Sequence, residues 1–255
     1  MQNKPTFSIV TCTWNSAATL ADTLASVAAQ TCQDLEHVFV DGGSTDATLD
    51  LIAAYRGNKR VLHDVKGGIG RAMNQGILAA RGEIVAHLHG DDYYHGPDVL
   101  AMVRRAFNEG GAPVDWVYGN ILVLKEGALA PPYAMPPFSY RSFVAGRASV
   151  PHPAAFVRRS AFERAGLFDE TFTYAMDIDL WLRLGALTQP RRIDQPLTVF
   201  REHAGSVSSR HKLAARREEF QVRRRHMRKA PLAFGIYCLR YLKRTRALAA
   251  QAAIG

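Results

Sequence analysis

Cysteine is scarce in this chain of 255 residues: there are three, Cys12, Cys32 and Cys238, far apart in sequence. Their spacing matches neither a disulfide framework nor a zinc site, so a reducing compartment is expected. Long apolar runs are missing too. The longest uncharged apolar stretch near the C-terminus, Pro231 to Leu239, is too short to span a bilayer. The first residues, Met1-Gln2-Asn3-Lys4-Pro5, lead straight into an apolar strand-like run, which predicts no signal peptide and a cytoplasmic location. There is no P-loop, no Gly-x-Ser-x-Gly elbow, no internal repeat, no low-complexity segment and no long Gly/Ser linker. Acidic charge is scarce where basic charge gathers. Residues 210–255 hold 13 lysines and arginines against 2 glutamates, whereas residues 1–209 hold 19 against 21 acidic residues, so the net charge of +9 belongs to the tail.

What remains is an ordinary apolar content of 47%, enough for one large α/β domain or a domain with an appendage. The first half alternates two kinds of pattern. Phe7 to Thr13, Leu35 to Val40, Val61-Leu62 and Ile84 to Leu88 are apolar, β-branched runs that predict buried strands. Between them, apolar residues recur at helical spacing after Asn15-Ser16, after Ser44 and Asp46, and over Ile69 to Ala80. Strands alternating with helices predict parallel pairing and right-handed crossovers. Further on, Trp116 to Leu124 predicts a strand through the middle of the domain, and Ala128 to Pro137, with four prolines, a loop.

The most informative stretch is His89-Gly90-Asp91-Asp92-Tyr93-Tyr94, directly after the fourth predicted strand. In open α/β sheets, ligands bind beyond the carboxyl ends of the strands. Adjacent carboxylates raise each other's pKa, and a divalent cation removes that penalty. Hard cations such as Mg²⁺ or Mn²⁺ take oxygen ligands and leave room for phosphate oxygens, so Asp91-Asp92 reads as a metal site holding a nucleotide diphosphate. The alternative is a turn with two solvated aspartates; the strand-end position favours the metal. Thr13-Trp14-Asn15 and Asp41 end the first two strands on the same rim. Gly67-Gly68-Ile69-Gly70-Arg71-Ala72 is not a dinucleotide-binding fingerprint: the third glycine would fall at Met73, and the segment follows the third strand.

Taken in order, Thr11-Cys-Thr-Trp-Asn15, Gln30-Thr31, Val40-Asp-Gly-Gly-Ser-Thr-Asp46, Gly68-Ile, Ala72-Met-Asn-Gln-Gly76, Ala80-Arg-Gly-Glu83 and Leu88-His-Gly-Asp-Asp92 resemble a bacterial family 2 glycosyltransferase, in particular its exopolysaccharide and lipopolysaccharide branch. The likeness runs over about residues 6–205. It implies a GT-A fold, α/β with a mixed central sheet, comprising a nucleotide-binding half over about 1–95 and an acceptor-binding half over about 96–209, followed by a helical tail over 210–255. It also implies inverting transfer from a nucleotide sugar, with UDP the expected nucleotide, to a growing surface glycan.

The resemblance assigns roles. Asp41 matches a carboxylate that accepts a hydrogen bond from the base; Thr11, Thr13, Trp14 and Asn15 line the neighbouring loop. Trp14 either stacks on the base or belongs to the core. Arg71 and Asn74 share a helix face that meets the nucleotide in the family, although a solvated face suits Arg71 equally. Asp92 is implied to bind Mn²⁺ or Mg²⁺, and Asp91 to contact ribose or the metal's waters. His152 touches donor or acceptor, or is a buried histidine satisfied by backbone. In Tyr174-Ala-Met-Asp177-Ile-Asp179-Leu-Trp181-Leu-Arg183, Asp177 aligns with the catalytic base, the alternative being a helix N-cap. Val199-Phe-Arg201-Glu-His203 resembles the closing segment, implying a metal or diphosphate contact for His203 and charge neutralisation by Arg201. Gln221 to Arg225 lacks the Gln-x-x-Arg-Trp motif of processive synthases, which predicts one transfer per encounter.

The tail reads as two helices split at Pro231, basic and amphipathic. They suit an anionic inner-leaflet surface and a polyprenyl-linked acceptor; the alternative is a helix packed on the body. No nucleic-acid motif is present. Competing readings of the whole chain are a sugar nucleotidyltransferase, whose Gly-rich loop after the first strand is missing here, and a non-catalytic glycan-binding scaffold.

Overall fold

The computed structural model describes residues 4–109, 111, 113–131, 134–202 and 212–252, with side chains of the last helix described to residue 246. The four apolar runs of the first half form β1 (Phe7–Thr13), β2 (Leu35–Asp41), β3 (Lys59–Leu62) and β4 (Ile84–His87). Every residue of β1, β2 and β4 is buried, as happens when helices cover both faces of a parallel sheet. The covering helices are α1 (Leu20–Ala28), α2 (Thr48–Ala54) and α3 (Ile69–Ala79). Helix α3 lies so close to β1 that a Cβ on Gly76 would meet Val10 Cγ1 at 2.3 Å; only glycine permits the approach.

The second half adds β5 (Tyr93–Tyr94), α4 (Val99–Asn108), β6 (Trp116–Lys125), β7 (Ala128–Leu129), α5 (Tyr140–Val144), a 3₁₀ turn (His152–Ala154), β8 (Ala155–Arg158), α6 (Arg159–Ala165), α7 (Met176–Gly185) and β9 (Arg191–Glu202). The expected loop from Ala128 therefore begins as a strand, hairpinned onto β6 through Leu124 and Leu129. The nine strands run in the order β3-β2-β1-β4-β8-β6-β9-β5, with β7 off the path beside β6. Pairs within β3-β2-β1-β4 are parallel, as expected; β8 joins β4 and β6 antiparallel, and β6 and β9 are parallel.

Register explains how distant residues meet. Thr13 stands opposite Asp41 at the carboxyl ends of β1 and β2. Tyr93 pairs with Val199, so β9 delivers Arg201 to the segment after β4. Trp116 of β6 stacks on Trp181 of α7, with centroids 5.5 Å apart and planes 3° from parallel, fixing α7 against the sheet.

The tail helices, α8 (Lys212–Arg225) and α9 (Pro231–Ala252), pack on this body, α8 against α7 and α9 against α5 and α8. Gly146, at φ +65°, lets them in: a Cβ there would lie 2.9 Å from the Tyr237 ring of α9. Glu218 of α8 accepts hydrogen bonds from the backbone N–H groups of Thr173 (3.0 Å), Tyr174 (2.6 Å) and Ala175 (3.1 Å), capping α7 from outside. Glu218→Ala is expected to cost about 1–2 kcal/mol of stability, the range for a lost helix cap. An unchanged denaturant midpoint would show that water replaces the carboxylate without loss.

Candidate active site

Four segments converge beyond the carboxyl ends of β1 and β4. The segment after β4 is tied to α1: Thr19 Oγ1 donates to the carbonyl of Gly90 (2.6 Å) and Thr23 Oγ1 to that of Asp92 (2.7 Å). β9 reaches the same point, where the Arg201 backbone N–H donates to Asp92 Oδ1 (3.0 Å) and its Nε to the Asp91 carbonyl (3.1 Å). The guanidinium continues to Asp22 Oδ2 at 2.6 Å. Arg201 thus holds the acidic pair in place as well as adding charge beside it.

Asp92 is buried, and burial followed by the Asp91 charge pushes its carboxyl well above the ordinary value; the Arg201 hydrogen bond and charge pull the other way. Two close carboxylates, one with an oxygen already spent on Arg201, are what a divalent cation would stabilise. Among the described residues no group of three His, Cys, Asp or Glu side chains forms a ready metal cage. Asp91 and Asp92 supply carboxylate oxygens, the donor type that hard divalent cations take. His203 lies outside the described residues.

The loop after β1 is laced to the loop after β2. Asp41 Oδ1 accepts from Thr13 Oγ1 (2.9 Å) and Ser44 Oγ (2.6 Å), and Oδ2 from the N–H groups of Gly43 (2.9 Å) and Ser44 (2.8 Å). Burial raises the Asp41 carboxyl, but these hydrogen bonds outweigh it and hold it below its ordinary value. Asn15, at φ +50°, accepts the Thr45 N–H at 2.9 Å. The effect is to hold Trp14 at the lip of a cavity with 72% of its surface exposed, which rules out a core role.

Asp177 is the second residue of α7, and its Oδ1 accepts the Ile178 N–H at 2.7 Å. The N-cap position belongs to Ala175, and the preceding N–H groups are taken by Glu218, so capping does not explain Asp177. Burial pushes its carboxyl up to about 6, against the Ile178 hydrogen bond, with Glu219 raising and Arg223 lowering it further. A carboxylate near this value can take a proton at neutral pH.

Trp14, Asn15, Asp91, Asp92, His152, Asp177 and Arg201 line one cavity of about 670 Å³. Asp92 and Asp177, 85 positions apart, thus face a shared space. The His152 ring stacks on His89 (centroids 5.5 Å apart, 7°) beside His87. Both of its ring nitrogens are buried without a hydrogen-bond partner among the described residues, so the expected backbone partner does not exist. Burial, then the neighbouring His87 and His89, hold it well below the ordinary histidine value, as a neutral ring.

Other expected contacts are corrected. Thr11 is fully buried, its hydroxyl shared between His37 Nε2 (2.8 Å) and the Leu88 carbonyl (2.6 Å), so it serves the sheet and not a nucleotide. Asn74 is a clamp: its amide donates to the Phe168 carbonyl and Glu170 Oε1, both at 2.9 Å, and its oxygen accepts the Phe168 N–H. Thr13 and Asp41 are buried and hydrogen-bonded to each other at the base of the Trp14 loop. Arg71 lies exposed on α3, its stem against Gly67.

Glu218 and Glu219 escaped sequence reasoning, although they are the sole carboxylates in a strongly basic tail. That contrast was the available signal.

A parallel half-sheet whose rim carries paired aspartates, completed by a mixed half that brings a third carboxylate to the same cavity, is the GT-A glycosyltransferase architecture. Solved structures share it. S. aureus TarS 1-349 in complex with UDP-GlcNAc superposes with a TM-score of 0.70 at 22% identity, covering 85% of this chain and 64% of that one. The mannosyltransferase PcManGT from Pyrobaculum calidifontis, in complex with GDP-Man and Mn²⁺, gives 0.67 at 20% identity, covering 100% and 77%. This chain spans 39% of the longer S. aureus TarS chain.

Residues 8–166 match the family described as glycosyl transferase family 2, and the chain belongs to that family. An uncharacterised glycosyltransferase of Mycobacterium tuberculosis (strain H37Rv) is 34% identical over 207 residues, 78% of this chain and 76% of its own. A PGL/p-HBAD biosynthesis glycosyltransferase of the same strain is 36% identical over 188 residues, 70% of this chain and 69% of its own.

Proposed function

We propose that this glycosyltransferase moves a sugar, with inversion, from a UDP-sugar to a hydroxyl of a growing, lipid-linked surface glycan, one transfer per encounter. The observation that carries this reading is the shared cavity, with Asp177 facing the Asp91-Asp92 pair. Asp177 takes the proton of the acceptor hydroxyl as that oxygen bonds to the anomeric carbon. The bond from that carbon to the donor phosphate breaks on the opposite face, so the configuration inverts and a nucleoside diphosphate leaves. Asp92 and Asp91 would hold a divalent cation, which when bound neutralises the departing diphosphate. Arg201 fixes those carboxylates, Trp14 offers a face for the base, and the unpaired His152 nitrogens suit a sugar hydroxyl.

UDP is favoured by the UDP-GlcNAc complex of the S. aureus neighbour. The PGL/p-HBAD biosynthesis relative supports a role in building a bacterial glycan. No helix among the described residues is long and apolar enough to cross a membrane. The tail instead exposes Leu232, Leu239 and Leu242 on one face of α9 and Arg217 and Arg224 on α8, a pairing that suits an anionic bilayer surface. The chain is expected to co-sediment with phosphatidylglycerol vesicles and to be released by high salt; equal binding to phosphatidylcholine vesicles would reject the electrostatic part.

Thermal shift with UDP-GlcNAc, UDP-glucose and GDP-mannose, each with and without Mn²⁺, tests the function. Saturation at a hundred times Kd stabilises by about 2.7 kcal/mol. A Tm rise confined to GDP-mannose would overturn the choice of UDP, and no rise with any donor would overturn the transferase reading.

A further inference from the structure

A second cavity, of about 400 Å³, lies behind Asp177. The loop after α5 walls it with Arg147, α8 with Arg216, Glu219 and Arg223, and α9 with Arg240 and Arg244. Five guanidinium groups face two carboxylates, Asp177 and Glu219. Glu219 is already committed: Arg216 Nη1 lies 2.7 Å from Oε2, and Arg223 Nη2 2.9 Å from Oε1. Among the described residues Arg147, Arg240 and Arg244 make no close ion pair with a carboxylate, although the Glu219 charge reaches Arg244.

The best buried of these groups asks for another acceptor. The Arg223 side chain is 3% exposed, with its guanidinium 5.3 Å from the Phe143 ring centroid and 4.9 Å from that of Tyr237. Its Nη1 is buried without a hydrogen-bond partner, as is Arg240 Nε. Leaving such N–H groups unpaired in the interior is costly. Burial, then the charges of Arg216 and Arg240, hold Arg244 below the ordinary guanidinium value. Among the described residues two carboxylates line the cavity against five guanidinium groups, so the positive charge is only partly matched.

We propose that this cavity is an anion subsite that binds a phosphate or diphosphate ester carried by the acceptor. The assignment to the acceptor rests on Asp177 being the base proposed above. Asp177 lines both cavities, so a group held here approaches it from the tail side, while the donor cavity contains Asp91 and Asp92. Several converging guanidinium forks match a multiply charged phosphate better than a single carboxylate. The phosphate comes from a lipid diphosphate or from a phosphorylated sugar, and the test separates the two.

Phenylglyoxal labelling of the full chain, read residue by residue by mass spectrometry, reports on the arginines directly. Inorganic pyrophosphate at ten times its Kd should slow labelling of Arg240 and Arg244 about tenfold by occupancy alone, with exposed Arg217 unaffected. Farnesyl diphosphate and glucose 1-phosphate are compared next. Protection by the first alone marks a lipid diphosphate, and protection by both marks a sugar phosphate. Protection by neither, or equal protection at Arg217, overturns the subsite. In an Arg240→Gln/Arg244→Gln chain, protection of Arg147 should disappear while the Tm rise with UDP-GlcNAc and Mn²⁺ persists; retained protection overturns the proposal. Protection in a chain that binds no nucleotide sugar would keep the subsite and discard the proposed function, whereas donor binding without protection would discard the subsite alone.

Discussion

Asp177→Asn is expected to lower kcat by about 10²–10⁴-fold, the range for removing a positioned base. Asparagine preserves shape, and its oxygen can still accept the Ile178 N–H, so the Tm rise on donor binding should persist. The wild-type rate should climb with pH through about 6 and level off above it, because only the ionised carboxylate accepts the proton. Stability should move oppositely. Folding raises this carboxyl above its unfolded value, so the folded state resists ionisation. The penalty grows as pH rises from about 4 to 6 and is complete at pH 7. The asparagine variant, which never ionises, should then be more stable at pH 7, by up to about 3 kcal/mol. A variant within twofold of wild-type activity would remove Asp177 from the mechanism.

Asp92→Asn carries the second large effect. Its amide oxygen can still accept the Arg201 N–H, so the β4–β9 junction should hold and Tm should change little. One of the two charges proposed to hold the cation is lost, however. Transfer should fall by about 10²–10³-fold, as when a preorganised electrostatic contact to a leaving group is removed, and the Mn²⁺-dependent part of the donor-induced Tm rise should vanish. Wild-type protein treated with EDTA should show both losses, reversed by added Mn²⁺. Unchanged transfer in EDTA would show that Arg201 and its neighbours supply the neutralisation unaided.

How much of this was legible follows burial. Strands β1, β2 and β4 are sealed on both faces, so their sequences are unbroken apolar runs. β9, Arg191 to Glu202, is buried only over Leu197–Val199 and contains Pro196 at a register shift against Asn120; charged residues and a proline hide it. Asp91 and Asp92 were legible because a strand end is a position with a physical meaning. Thr11 and Asn74 misled because a polar residue near a site looks the same in sequence whether it faces a ligand or fastens two backbone segments. Asp177 was singled out through resemblance; its environment, with Glu219 and Arg223 arriving from the tail, depends on tertiary docking that no local pattern announces.

The Glu218 cap on α7 has a practical corollary. A chain ended near residue 210, where the charge changes sign, would free three amides just ahead of Asp177 and leave Asp179 without Arg225, now 3.3 Å away. The shortened protein would keep its nucleotide half and lose the alignment of its chemistry. The seam visible in composition is thus the wrong place to cut.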